Sequence, residues 1–126
     1  MRKIFISQPF SGWTKDEVIE ARRVMINEII KKGYEEYGKF IVVNSLECFD
    51  IPTPLAGLGE AIKYLDKVDK AYFLQIEHDI GIYISHAISR GCCIELEVCK
   101  KFDIPVQDVL VKFEGYGIKP IINKES

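Results

Sequence analysis

Residues 3–33 read KIFISQPFSGWTKDEVIEARRVMINEIIKKG, and the change of period inside this stretch decides the fold. Lys3 to Ser7 is a short β-branched and aromatic run that stops at Gln8-Pro9. Ile4, Phe5 and Ile6 are apolar on both parities, so the run reads as a strand covered on both faces. A loop from Gln8 to Trp13 follows and carries Ser11-Gly12. Thr14 with Glu17 three residues later is the pattern in which two side chains satisfy two orphan backbone donors reciprocally, so a helix starts here. Val18, Ala21, Arg22, Met25, Ile29 and Ile30 recur at spacings of three and four, and Gly33 after Lys31-Lys32 marks the stop. A buried strand, a loop and an amphipathic helix make the first half of a β-α-β unit.

The same alternation continues downstream. Phe40 to Val43 reads as a second buried strand, Pro52 and Pro54 mark a loop, and Leu55 to Lys67 a second helix. Ala71 to Ile76 is a third strand, Cys92 to Phe102 a third helix ended by Pro105, and Val109 to Phe113 a last strand, with room for a short edge strand at Ile121-Ile122. Strands alternating with helices of about a dozen residues imply right-handed crossovers and a mostly parallel sheet covered on both faces. The expectation is one α/β domain over residues 1–126, flavodoxin-like (Rossmann-like), with four to five mostly parallel strands flanked by helices. Such sheets bind ligands at the carboxyl ends of their strands, where the strand order reverses, which directs attention to the ends of the first and third strands.

Composition narrows the function. The 126 residues are 48% hydrophobic and 29% charged, the balance of a globular chain with disorder confined to its last few residues. A net charge of −2 offers no basic field for a nucleic-acid polymer. No apolar run approaches the ~20 residues a membrane helix needs, so no membrane partner and a cytoplasmic location are expected. Cys48, Cys92, Cys93 and Cys99 match neither a zinc site nor a disulfide scaffold and read as free, mostly buried thiols. His78 and His86 stand eight apart without a partner at metal-ligand spacing; neither a metal nor another cofactor is called for.

One residue does not fit its helix. At roughly 100° per residue, Ile94, Val98, Phe102, Cys99, Cys92 and Leu96 form a continuous apolar arc, and Glu95 falls in its middle. Glu97, Lys100 and Lys101 share the opposite, solvated face. A carboxylate directed at a core costs several kcal/mol on the order of its desolvation penalty unless it has partners or faces a cleft. With the helix starting at Cys92, Glu95 lies in the first turn, where free N–H groups favour its charge. That environment suits a nucleophile or general base, the alternative being a glutamate that merely caps the helix. Ser7, Gln8, Ser11 and Gly12 follow the first strand, Asp69 precedes the third, and Ser89-Arg90-Gly91 leads into the Glu95 helix as a hydroxyl-rich turn suited to an anion or phosphate. The long segment Glu77 to Ile88 reads as a lid over the site in preference to an extra packed turn.

These pieces resemble a family. Ile4-Phe5-Ile6-Ser7-Gln8-Pro9-Phe10-Ser11-Gly12, then Leu65 to Phe73 with its aspartate before the third strand, then Arg90-Gly91-Cys92-Cys93-Ile94-Glu95 with Phe102-Asp103-Ile104-Pro105-Val106, are similar in order and spacing to motifs of the nucleoside 2-deoxyribosyltransferase superfamily. The resemblance runs from residue 3 to about residue 113. It implies that Glu95 attacks the anomeric carbon of a deoxyribose, that Asp69 positions or protonates the departing base, and that Ser7 and Gln8 line the sugar and base pocket. Ser11, Gly12, Ser89, Arg90 and Gly91 would complete substrate binding. It also implies a homo-oligomer, because members complete their sites with a neighbour's residues. The transferases of the family carry an aspartate six residues before the glutamate, where this chain has Ser89, as the nucleoside 5′-monophosphate N-glycosidases do. A serine tolerates a phosphate that an aspartate would repel, which favours a nucleotide substrate. A nucleotide-binding sensor of the same fold without turnover is the alternative. A flavodoxin-like electron carrier or signalling protein fits less well, since Ser7-Gln8-Pro9 supplies neither a flavin phosphate loop nor a phospho-acceptor aspartate.

Overall fold

The structure, a computed structural model, describes residues 1–8, 13–44, 54–78, 83–84 and 90–113. Its elements are β1 (Arg2–Ser7), α1 (Lys15–Lys31), β2 (Phe40–Val42), α2 (Pro54–Leu65), β3 (Lys70–His78), β4 (Tyr83–Ile84), α3 (Arg90–Lys101) and β5 (Val106–Phe113). Four strands are parallel in the order β2-β1-β3-β5. The expected α/β architecture with a flavodoxin-like parallel sheet is therefore present. From β1 the order runs outward to β2 on one side and to β3 on the other, so the reversal lies between β1 and β3.

The start of α1 is capped as the sequence indicates. Glu17 N–H donates to Thr14 Oγ1 at 3.1 Å, and Thr14 N–H donates to Glu17 Oε1 at 2.7 Å. The helix stops before Gly33, whose φ of 77° is a conformation that favours glycine. Its inner stripe, Val18, Ala21, Met25 and Ile29, packs with Ile4, Ile6, Tyr72, Leu74, Val109 and Val111 on one face of the sheet. Phe5, Ala71 and Phe73 point the other way and meet Ala61, Leu65 and Cys99 of α2 and α3. The period of two along β1 and β3 thus assigns alternate residues to two separate cores. Among the described residues no helix is long and apolar enough to cross a membrane.

Several boundaries differ from expectation, each for a physical reason. Among the described residues β2 is an edge strand with Ile41 45% exposed, not a buried one, because only β1 pairs with it. β5 starts directly after Pro105; among the described residues it is an edge strand, which can carry the polar Gln107 and Asp108 that suggested a later start. On α3 the apolar arc is wider than the covered face: Cys92 and Cys99 are buried, but Ile94 is 44% and Phe102 73% exposed. Cys92, Cys93 and Cys99 are thiols outside any disulfide, and burial together with the neighbouring Glu95 pushes the Cys99 thiol up to about 11. Cys48, His86 and the Ile121-Ile122 strand lie outside the described residues.

The segment read as a lid is in part sheet. β3 continues to His78, and β4 pairs antiparallel with it through Ile76↔Ile84 and Glu77↔Tyr83. β5 occupies one edge of β3 from Ala71 to His78, so β4 lies on the edge that β1 uses lower down, beyond the pair Ser7↔Phe73.

Trp13, 5% exposed in the α1 core, has an indole Nε1–H without a hydrogen-bond partner among the described residues. An orphan donor costs about 1–3 kcal/mol, comparable to the packing that a smaller ring forfeits. Trp13→Phe is therefore expected to change stability by less than about 1 kcal/mol, measured by denaturant unfolding, where an ordinary buried tryptophan would cost more.

Candidate active site

The carboxyl end of β1 brings two of the candidate residues together. Ser7 follows Phe5 on the α2/α3 side of the sheet, and its Oγ donates to Glu95 Oε1 at 2.6 Å. Ser7 is 1% and Glu95 7% exposed, so the contact is nearly dry. The helix wheel placed this carboxylate on the inner face of α3, and it is there. Its surroundings differ from expectation in one respect. α3 begins at Arg90, which puts Glu95 in the second turn, where the backbone N–H groups are already engaged and the helix terminus gives little help. Burial raises its pKa to about 7, against the opposing effects of the Ser7 hydrogen bond and the positive charge of Arg22.

Arg22 is the cation that the sequence analysis left unexplained within the apolar stripe of α1. It is 6% exposed; its Nε donates to Gln8 Oε1 at 2.5 Å and its Nη1 to the Asn44 carbonyl at 2.6 Å. Asn44, in turn, donates from Nδ2 to the Ile6 carbonyl at 2.6 Å and accepts from the Ile6 N–H at 2.9 Å. Gln8 also donates to the Val18 carbonyl at 3.1 Å. The network ties the exits of β1 and β2 to α1 and lends a fixed positive charge to the neighbourhood of Glu95. Gln8 was expected to line the pocket; its carboxamide is instead committed to Arg22 and Val18 on the α1 side, as its parity next to Ser7 requires.

Asp69 is not brought to this place. It precedes β3 at the opposite, amino end of the sheet, where its Oδ2 accepts from the Lys3 N–H at 2.7 Å and its own N–H donates to the Lys3 carbonyl at 2.7 Å. Parallel pairing of Ile4 with Lys70 and of Ser7 with Phe73 separates Asp69 from the level of Ser7 by four strand residues, about 13 Å at ~3.3 Å each. The expectation that it positions or protonates a leaving group is corrected accordingly: it joins strands. Asp69→Ala is expected to lose about 1 kcal/mol of stability while any turnover at Glu95 stays within a few-fold of wild type, measured by unfolding and by initial rates.

Gly91 is the second residue of α3, and a Cβ there would meet only Leu58 Cδ1 at 3.9 Å, so packing alone does not demand glycine. Arg90 opens the helix; Ser11, Gly12 and Ser89 lie outside the described residues. At the amino end a second polar cluster gathers around Glu35. Arg2 donates to both its carboxylate oxygens, at 2.8 and 2.9 Å, and the Tyr72 hydroxyl donates at 2.6 Å. Burial opposes the Glu35 charge, but these bonds outweigh it and hold the carboxyl below its usual range. Lys70 sits over the rings of Tyr34 and Tyr72 at 5.4 and 5.1 Å. The adjacent cavity of about 490 Å³, lined by Arg2, Tyr34, Tyr37 and Lys39 among others, is thus far from Glu95. Compared with models of known protein families, with curated proteins and with solved structures, the chain matches none.

Proposed function

We propose that the protein cleaves the N-glycosidic bond of a 2′-deoxynucleoside 5′-monophosphate, or of the corresponding nucleoside, through a covalent glutamyl-deoxyribosyl intermediate. The reading rests on one observation above all: a nearly buried carboxylate at the switch point of a parallel sheet, held by a serine hydroxyl at 2.6 Å. The motif resemblance supplies the substrate class, and the chemistry follows retaining-glycosidase logic. A Glu95 oxygen attacks C1′ as the C1′–N bond breaks, the bonding pair leaves with the base, and the base takes a proton from water entering the site. Water then attacks C1′ of the ester, releasing the sugar phosphate and restoring the carboxylate; a second base in place of water gives exchange. Ser7 fixes the oxygen that does not attack, and Arg22 steadies the charge that returns when the ester is broken.

A phosphate would be received at the start of α3, where Ser89, Arg90 and Gly91 stand and where a glycine that packing does not require leaves backbone N–H groups open to close approach. The same resemblance implies a homo-oligomer. The test is release of free base from a panel of deoxynucleosides and their 5′-monophosphates, followed chromatographically, with and without an added second base. Release from the monophosphates in preference to the nucleosides is the expected result. Tight binding without release would instead favour a nucleotide sensor, and neither binding nor release would overturn the proposal.

A further inference from the structure

Gln75 is a buried polar residue that nothing above explains. It is 7% exposed and lies two residues beyond Phe73, the partner of Ser7 across the switch point. Ala71 and Phe73 belong to the α2/α3 core while Tyr72 and Leu74 belong to the α1 core, so the strand alternation turns Gln75 toward the side that holds Ser7 and Glu95. From the ~4.8 Å strand spacing and the ~3.3 Å rise per residue, its Cα stands about 8 Å from that of Ser7, farther toward the carboxyl end.

Its carboxamide has no hydrogen bond among the described residues, in contrast to Ser7, Gln8, Arg22, Glu35, Asn44 and Glu95, each of which makes at least one. Nor is it sealed: the fully enclosed side-chain polar atom without a partner, among the described residues, is Trp13 Nε1. A buried amide is retained against its desolvation cost when it meets a partner, and one that is unpaired, not fully enclosed and on the Ser7–Glu95 side of the sheet is placed to find that partner in a ligand. A neutral carboxamide offers one donor beside one acceptor. That matches the edge of a nucleobase, where N–H and C=O, or N–H and a ring nitrogen, stand side by side, and it does not match a phosphate, which presents acceptors only.

We propose that Gln75 is a specificity-determining residue that reads the hydrogen-bonding edge of the base held in front of Glu95. The inference rests on the glycosidase reading for the identity of the ligand, but not on turnover. Ligands are titrated calorimetrically into Glu95→Gln, which cannot turn over, and into the double variant that also carries Gln75→Leu. The probes are the deoxynucleoside 5′-monophosphates and deoxyribose 5-phosphate, which keeps the sugar and phosphate but lacks the base. The expected result is a 10- to 100-fold loss of affinity for at least one nucleotide, affinity for deoxyribose 5-phosphate within twofold, and no fall in Tm, because an apolar residue of similar size replaces an unpaired amide. Equal losses for both classes of ligand, no loss for either, or a lowered Tm would overturn the proposal and assign Gln75 a structural role. Binding by the wild type with no base release would overturn the glycosidase reading alone; failure of every nucleotide to bind would overturn both.

Discussion

Replacing Glu95 with glutamine is expected to lower base release by roughly three orders of magnitude or more, because the amide cannot form the glycosyl ester that divides the reaction into two accessible steps. The same change is expected to stabilise the fold at high pH, and the sign follows from its raised pKa. The native carboxyl holds its proton up to about 7, whereas in the unfolded chain it releases it near 4.5. Between those values the native state binds more protons than the unfolded one, so stability falls as pH rises. At about 1.4 kcal/mol per pH unit, roughly 3 kcal/mol is lost by the time the carboxyl is ionised. Glu95→Gln removes that loss: its Tm should exceed the wild-type value at pH 8 and approach it at pH 5, by calorimetry at both. The wild-type kcat/KM should rise with pH and level off above about 7, as the free enzyme gains its nucleophilic form. A variant that is inactive and less stable at pH 8 would mean that the carboxylate is structural.

The second large effect is expected at Arg22. Arg22→Met keeps much of the side-chain bulk but strips donors from Gln8 Oε1 and the Asn44 carbonyl, both buried. Removing one side of such a set costs about 3–5 kcal/mol, which corresponds to a fall in Tm on the order of 10 °C. The nearby positive charge that opposes the rise in the Glu95 pKa goes with it. The pH profile of the surviving activity should therefore move upward, whereas a purely structural loss would lower activity without moving the profile.

Glu95 and Arg22 emit the same signal, a charge within an apolar helical stripe, and only the first was read as a site. In the 17-residue α1 a single long side chain at the stripe carries no such mark, because an arginine can lie along apolar surface and still carry its charge to water. The period-two and period-3.6 patterns carried most of the architecture, since burial on two faces leaves little freedom for Ile4-Phe5-Ile6 or for α1. Gln75 was legible only as one more strand residue, and its importance depends on register with Ser7, a nonlocal fact. Asp69 shows the converse: a motif places a residue before a strand, but only the parallel pairing reveals which end of the sheet that is. β4 rests on two residue pairs and leaves almost no compositional trace.

The reciprocal bonds between Lys3 and Asp69 join positions 66 apart. A misalignment of β1 by one step would turn every one of its side chains over, presenting Gln8 where Ser7 now stands and Ser7 to the helix on the far side. Such a mispaired molecule would bury comparable greasy surface and yet lose the contact between Ser7 and Glu95. Asp69 therefore serves as a proofreader for chain threading, since its bonds to Lys3 form in the native alignment and not in its nearest decoy.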